Sequence, residues 1–155
     1  IMLLFLDFDG VLHPEYHEIC VPDDVAFCHL PRFEVIMREY PSVEIIISTS
    51  WRTILNLECL RRYFSTDISQ RVIGVTPILA DENSYQPALR EKEILAWLVA
   101  NQRTAEKWIA VDDRTWQFVN HRAQLVACVG YRGLDEEAGA RLRLALEQIQ
   151  DSSNP

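Results

Sequence analysis

The sequence predicts an α/β fold, a three-layer sandwich with a central parallel sheet of about five strands. Three observations indicate this class. Short apolar runs alternate along the chain with segments of helical periodicity, each run is only a few residues long, and several runs end in polar residues. Strands that alternate with helices are typical of a parallel sheet covered by helices on both faces.

Five apolar runs are the predicted strands. A strand buried on both faces of a parallel sheet is apolar without interruption, whereas a half-exposed strand alternates between apolar and polar residues. The five runs span residues 2–8, 43–47, 71–75, 108–111 and 125–129. The first run ends in an acidic residue and a glycine, which is typical of a buried parallel strand.

The segments between these runs show helical periodicity. Pro31 fits the first turn of a helix whose apolar positions continue to Tyr40 on one face. Asp135 suits the N-cap of the last helix. Further helices are predicted around residues 55–64 and 94–98.

Length and composition fit one compact domain. A chain of 155 residues, 48% hydrophobic and 25% charged, can bury a core without disulfide or metal support and is not of the disordered class. We expect a single domain over residues 1–150 and a flexible tail over residues 151–155. The apolar runs are far shorter than the ~20 residues that span a bilayer, so no membrane contact is expected.

Charge and cysteine content narrow the function classes. The net charge of −8 gives no broad electrostatic attraction to nucleic acid or anionic membrane. It argues against non-specific binding but does not exclude a small basic pocket that binds one substrate. The four cysteines are scattered and include no CxxC pair, which is typical of a reduced protein. We therefore expect a cytoplasmic location.

Polar side chains follow three of the predicted strands. The carboxyl ends of parallel strands face one crevice, so these side chains should converge there. They are Asp7, Asp9, Ser48, Thr49, Asp112 and Asp113. Four carboxylates in one crevice repel each other unless a cation lies among them, and an all-oxygen ligand set favours Mg²⁺. Metal-assisted phosphoryl transfer is the leading interpretation.

These residues also resemble a known family. The segment DFDGVL from Asp7 is similar to the first motif of the haloacid dehalogenase (HAD) superfamily, and the polar residues after the second and fourth strands match its second and fourth motifs. The segments STSWR from Ser48, REKEI from Arg90 and GLDEEA from Gly133 further resemble small capless HAD domains, including those attached to nucleic-acid repair proteins. The resemblance implies a Rossmann-like (HAD-like) sandwich with no cap domain.

The resemblance implies a role for each acidic residue. Asp7 would be the nucleophile that forms an aspartyl-phosphate. Asp9 would be the general acid that protonates the leaving oxygen and then the base that activates water, and its backbone carbonyl would bind the metal. Asp112 and Asp113 would complete the Mg²⁺ site with Asp7, and Asp113 is the preferred direct ligand.

The same resemblance implies phosphate-binding residues. Ser48 would donate a hydrogen bond to a phosphoryl oxygen, with Thr49 as the alternative, and either hydroxyl could instead cap the following turn. The basic residue of the third motif is Arg90 or Lys92, and Arg90 is preferred. Arg52 would bind substrate phosphate or, equally, form an ion pair at a helix start.

Residues 11–30 are interpreted as a loop or flap that lies over the crevice. In that position His13 and Tyr16 would touch the leaving group. The segment also holds possible zinc ligands, although their spacing lacks a paired knuckle, so structural zinc is the minor alternative. Those residues are His13, His17, Cys20, Cys28 and His29.

The expected function is a Mg²⁺-dependent phosphohydrolase acting on a phosphomonoester. Neither interval around the second strand leaves room for a folded cap, and an open site suits a phosphate carried by something large, such as a nucleic-acid end or a phosphoprotein. A phospho-accepting receiver domain is disfavoured because its acidic pair precedes the accepting aspartate. The non-enzymatic alternative is a degenerate HAD-like domain that binds a phosphorylated partner.

Overall fold

The computed structural model describes residues 2–16, 21–81 and 86–152. It has the predicted α/β architecture, built on a five-stranded sheet in which every pair of neighbouring strands is parallel. The strands are β1 (Met2–Leu6), β2 (Val43–Ile47), β3 (Val72–Val75), β4 (Lys107–Asp112) and β5 (Leu125–Ala127). Their order across the sheet is β3-β2-β1-β4-β5, so the first strand lies at the centre.

Five α-helices connect or flank the strands in the described part of the chain. They are α1 (Leu30–Glu39), α2 (Leu57–Arg61), α3 (Thr66–Ser69), α4 (Leu89–Ala100) and α5 (Glu136–Asp151). Short 3₁₀ turns cover Ser50–Thr53, Thr115–Gln117 and Arg122–Gln124. Among the described residues, no helix combines the length and the hydropathy that a membrane span requires.

Successive side chains of β1 enter two separate cores, because neighbouring residues of a strand point to opposite faces. On one face, β1 packs against α1 and α5 through Leu4, Leu6, Phe33, Ile36 and Leu142. On the other face, β1 packs against α4 through Leu3, Phe5, Ile94 and Trp97. The sheet is therefore covered on both sides, and the sandwich has the three predicted layers.

The register of the central strands sets the position of the crevice. Leu6 pairs with Ile47 of β2 and with Val111 of β4, so all three strands end at the same level. Hydrogen bonds continue this alignment by one residue, from Asp7 N to Val111 O at 3.1 Å and from Ser48 N to Leu6 O at 2.9 Å. The residues that follow the three strands are consequently brought together.

The helix predicted around residues 55–64 is longer than the observed one, because α2 covers only Leu57–Arg61 and the next helix, α3, begins at Thr66. Helix α2 begins only at Leu57, because the Asn56 side chain caps it by accepting a hydrogen bond from Cys59 N at 2.9 Å. Between α2 and α3, the Glu34 carboxylate accepts from both the backbone N–H and the hydroxyl of Ser65, each at 2.7 Å. This contact with α1 holds the chain in a bend that one continuous helix could not make.

The predicted cap of the last helix is confirmed, and the helix runs further than expected. The Asp135 side chain accepts from Ala138 N at 2.9 Å, as an N-cap does. Helix α5 continues through Asp151, and the flexible tail stays a prediction. Residues 153–155 lie outside the described residues. No cap domain is present in the described part of the chain, in agreement with the sequence.

Candidate active site

Three acidic side chains meet at the carboxyl ends of β1 and β4. Asp7, Asp112 and Asp113 each offer one carboxylate oxygen, and these oxygens all lie within 4.8 Å of one another. Asp7 and Asp112 are 2% and 1% exposed, while Asp113 is half-buried. The three side chains converge because β1 and β4 are paired in register and end at the same level of the sheet.

The acid cluster carries more negative charge than its surroundings offset. Burial and the neighbouring Asp7 carboxylate raise the pKa of Asp112 to about 6. Burial, Asp7 and Asp112 raise the pKa of Asp113 to about 8. Carboxylates whose charged forms are disfavoured in this way are stabilised by a nearby cation.

The cluster fits a magnesium ion in its ligand chemistry and its shape. Asp113 Oδ1 is buried and has no hydrogen-bond partner among the described residues. Gly10 adopts φ +75°, and a Cβ at this position would overlap Asp113 Oδ2. Glycine therefore leaves this carboxylate room that another residue would fill. The all-oxygen donor set is the kind that Mg²⁺ prefers.

Arg90 is the basic residue next to the acid cluster. Its Nη1 lies 3.2 Å from Asp7 Oδ1 and 3.4 Å from Asp112 Oδ2, and it also donates to the backbone carbonyl of Ser48. Burial alone would lower the pKa of Arg90, but the two carboxylates raise it. Lys92, the alternative on the same helix, is exposed. The structure thus brings Arg90, and not Lys92, to Asp7.

Ser48 and Thr49 are both buried after β2. The Thr49 hydroxyl accepts from Trp51 N at 3.4 Å and caps the 3₁₀ turn that follows, which is the structural alternative for this residue. The Ser48 backbone links the centre of the site, because its N–H bonds to Leu6 and its carbonyl accepts from Arg90. A role for either hydroxyl in phosphate binding stays a prediction.

Arg52 is held by groups of the protein itself. Its guanidinium donates to the backbone carbonyls of Thr49 at 2.8 Å and Thr76 at 2.9 Å, and it forms a buried ion pair with Glu93. These contacts join the turn after β2 to the turn after β3 and to helix α4. They favour the ion-pair interpretation of Arg52 over contact with substrate.

Asp9 stands apart from the three-acid cluster. Its side chain is 39% exposed, with Oδ1 2.8 Å from His13 Nε2 and Oδ2 2.8 Å from Trp51 Nε1. Burial raises its pKa, but the hydrogen bonds from His13 and Trp51 and the charges nearby outweigh this effect and lower the pKa. The Asp9 carboxylate is therefore not a member of the metal cluster, and metal binding by its backbone carbonyl stays a prediction.

The prediction that His13 touches the leaving group is wrong. The imidazole is 0% exposed and lies beneath the Asp9 carboxylate, where no substrate can reach it. Tyr16 is 41% exposed, and its contact with a leaving group stays a prediction.

The minor zinc interpretation finds no support among the described residues. Their one group of three or more His, Cys, Asp or Glu ligands is the aspartate cluster. Cys28 is exposed, and the His29 ring is 2.7 Å from the backbone carbonyl of Arg132. His13 is paired with Asp9, and the remaining residues of that interpretation, His17 and Cys20, lie outside the described residues.

Two further residues of the site carried no interpretable signal in the sequence. Trp51 donates through its indole N–H to Asp9 from 42 positions along the chain. Arg114 donates its backbone N–H to Asp112 Oδ1 at 2.8 Å and contributes positive charge near Asp9. The Trp51 contact depends on tertiary geometry that residue spacing does not encode, whereas the Arg114 contact is local and spans two residues.

Comparisons with known proteins agree with this geometry. Over residues 3–138 the chain matches a family model described as the HAD domain in Swiss Army Knife RNA repair proteins. Neither a curated protein nor a solved structure gave a match. The matched region contains β1 except its first residue, all of β2 to β5, and the whole acid cluster with Arg90. The chain therefore belongs to the family of HAD domains found in Swiss Army Knife RNA repair proteins.

Proposed function

We propose that the protein is a Mg²⁺-dependent phosphohydrolase that cleaves a phosphomonoester through an aspartyl-phosphate intermediate. One observation carries the proposal: the Asp7 carboxylate lies at the end of the central strand, in contact with the Arg90 guanidinium and within 4.8 Å of carboxylate oxygens of Asp112 and Asp113. Its HAD family membership supports phosphatase-type chemistry in general. Beyond this general chemistry, the proposal names the metal, the covalent intermediate and the kind of substrate.

Asp7 is held in the geometry of a nucleophile. Its Oδ1 accepts from Phe8 N at 2.9 Å and contacts Arg90 at 3.2 Å, which fixes the orientation of the carboxylate. A carboxylate oxygen of Asp7 attacks phosphorus and the bond from phosphorus to the leaving oxygen breaks. Arg90 offsets the negative charge that Asp7 and the phosphoryl group share. When bound at Asp7, Asp112 and Asp113, Mg²⁺ supplies further positive charge for this purpose.

Asp9 carries the proton in both half-reactions. Its partly exposed carboxyl donates a proton to the leaving oxygen, which departs as an alcohol. In the second step the Asp9 carboxylate takes a proton from water, and the water oxygen attacks phosphorus and releases Asp7 and inorganic phosphate. The negative charge of a bound phosphoryl group raises the pKa of Asp9 and so favours the protonated form at the start of the cycle.

The open site suits a terminal phosphate on a large substrate. With no cap domain in the described part of the chain, nothing there encloses a small metabolite. The substrate we propose is a phosphorylated nucleic-acid end, which the RNA repair context of the family supports, with a phosphoprotein as the other possibility. The net charge of −8 limits binding to local contacts around the terminal phosphate.

The test is phosphate release from p-nitrophenyl phosphate by the wild-type protein and by Asp7→Asn. We expect release with Mg²⁺, none with EDTA, and none from the variant, because Asn has the size of Asp without the anionic oxygen. Lys92→Met serves as a matched control, since Lys92 is exposed and outside the site. Release that persists in Asp7→Asn would refute the covalent mechanism.

The second candidate is a catalytically inactive HAD-like domain that binds a phosphorylated partner. The observation in its favour is the state of Asp9, whose two carboxylate oxygens both lie within hydrogen-bond distance of protein donors and whose pKa is lowered in the absence of substrate. Such a domain would bind a phosphorylated RNA end with Mg²⁺ and release no phosphate. The enzyme is the preferred candidate because Asp7 contacts Arg90 and belongs to one acid cluster with Asp112 and Asp113.

A further inference from the structure

A fully buried histidine lies directly beneath the proposed general acid. His13 is 0% exposed, its Nε2 is 2.8 Å from Asp9 Oδ1, and its Nδ1 is 3.2 Å from the backbone nitrogen of Phe27. Nothing in the proposed mechanism uses this residue. It is out of reach of a substrate, so any part that it has in the reaction must act through Asp9.

The hydrogen bonds define which ring nitrogen carries the proton. A backbone N–H can only donate, so the bond from Phe27 requires a lone pair on Nδ1. The neutral imidazole then has its proton on Nε2, and Nε2–H donates to Asp9 Oδ1. His13 therefore supplies Asp9 with a donor whose direction is fixed by the backbone of the loop.

Trp51 supplies a second donor to the other oxygen of the same carboxylate. Its indole N–H donates to Asp9 Oδ2 at 2.8 Å. Donors on two different oxygens fix the plane of the carboxyl group, which a single hydrogen bond would leave free to rotate. This restraint is notable because Asp9 is 39% exposed and an exposed carboxylate ordinarily samples several rotamers.

The two donor rings are held by a cluster of aromatic side chains. Phe27 packs edge-on against both His13 and Trp51, with ring centroids 5.3 and 5.5 Å away. Phe8, the residue after Asp7, also packs edge-on against Trp51, with ring centroids 5.5 Å apart. Packing of this kind locks side-chain rotamers, which is what a precise catalytic geometry requires.

We propose that His13 is a positioning residue that, together with Trp51, aims the Asp9 carboxyl at the leaving oxygen of the substrate. The inference rests on the proposed function, because it assigns Asp9 the transfer of a proton to that oxygen. His13 itself neither touches the substrate nor exchanges a proton in the reaction. Its contribution is the fixed direction of the Nε2–H bond.

Two substitutions separate the bond to Asp9 from the bond to Phe27. His13→Gln places an amide N–H near the position of Nε2 and keeps the donor to Asp9. His13→Asn places an amide oxygen near the position of Nδ1 and keeps the acceptor for Phe27, but its shorter side chain cannot reach Asp9. Trp51→Phe removes the second donor while keeping an aromatic ring. His29→Asn is a matched control in the same loop, since His29 contacts Arg132 and not Asp9.

The readout is kcat/KM for two substrates that differ in their need for a proton. p-Nitrophenolate is a weak base and leaves without being protonated, whereas the glycerol alkoxide is a strong base and needs a proton as it leaves. We expect His13→Asn and Trp51→Phe to lower kcat/KM for glycerol phosphate about 10- to 100-fold, a part of the roughly 10²–10⁴-fold that a general acid contributes, and to affect p-nitrophenyl phosphate much less. His13→Gln and His29→Asn should stay within about threefold of wild type on both substrates, below the smallest of those losses.

Equal losses on both substrates would overturn the inference, as would a His13→Asn variant more active than His13→Gln. Either result would make His13 a structural anchor of the Phe27 loop. Thermal melts of each variant identify those that fail to fold, and Trp51→Phe tests the same restraint without altering His13. If wild-type protein releases no phosphate from either substrate, the proposed function fails first, and the inference falls with it.

Discussion

Replacing Arg90 tests the electrostatic balance of the site most clearly. Arg90 is 6% exposed and contacts both Asp7 and Asp112, which are themselves buried. Arg90→Met keeps the length and much of the volume of the side chain but removes its charge. The two carboxylates would then lie in the protein interior beside Asp113, and no positive side chain of the described residues would form an ion pair with them.

The size of the effect follows from the burial of these charges. Removing one partner of a buried ion pair typically costs about 3–5 kcal/mol of unfolding free energy, because the remaining charge stays desolvated. For a chain of this length each kcal/mol lowers Tm by about 2–4 °C. We therefore expect Arg90→Met to melt roughly 6–20 °C below wild type in EDTA. Magnesium should raise the Tm of the variant more than that of wild type, because the ion restores the missing positive charge.

The assay is thermal unfolding of wild type, Arg90→Met and Lys92→Met, each with EDTA and with Mg²⁺. Lys92 lies two positions away on the same helix and is exposed, so its removal should leave Tm nearly unchanged. A Tm for Arg90→Met equal to that of Lys92→Met would refute the argument. So would a variant whose Tm does not respond to Mg²⁺, since that result would mean that the uncompensated acids do not bind the ion.

Two further predictions concern the acid cluster. Gly10→Ala should weaken Mg²⁺ binding at least tenfold, because the added Cβ would displace the Asp113 carboxylate. Calorimetry measures the Kd, with Gly74→Ala as the control, and an unchanged Kd for Gly10→Ala would contradict the prediction. Because the pKa values of Asp112 and Asp113 are raised to about 6 and about 8, the folded metal-free protein holds protons that the unfolded chain releases. Its stability in EDTA should therefore fall as pH rises from about 4 to about 9, and Asp113→Asn or Mg²⁺ should flatten the slope of Tm against pH. A slope that neither change alters would contradict the assignment.

The fold and the acid cluster were predictable because both depend on features that lie close together in the sequence. Apolar runs identified all five strands, and residues that follow parallel strands meet at one edge of the sheet whatever their separation along the chain. Asp7 and Asp112 could therefore be paired from 105 positions apart, with no knowledge of side-chain geometry. Capping is equally local, which explains why Asp135 was predicted correctly.

The parts that could not be predicted depend on how side chains pack after the backbone has folded. The bond from Trp51 to Asp9 and the ion pair of Arg52 with Glu93 each join residues about 40 positions apart. Both depend on rotamers that the surrounding aromatic rings and carbonyls select. The burial of His13 was missed for the same reason, since the loop that follows it folds back and covers its ring.

The central claim is that a phosphoryl group is transferred to Asp7, and trapping that group tests it most directly. Protein with Mg²⁺ is mixed with a radiolabelled phosphomonoester that it hydrolyses, quenched in acid during turnover, and digested for peptide mapping. The account predicts label on the peptide that contains Asp7, lost on treatment with hydroxylamine as expected for an acyl phosphate, and no label in Asp7→Asn. Turnover with no label on any peptide, or label on a different residue, would contradict it.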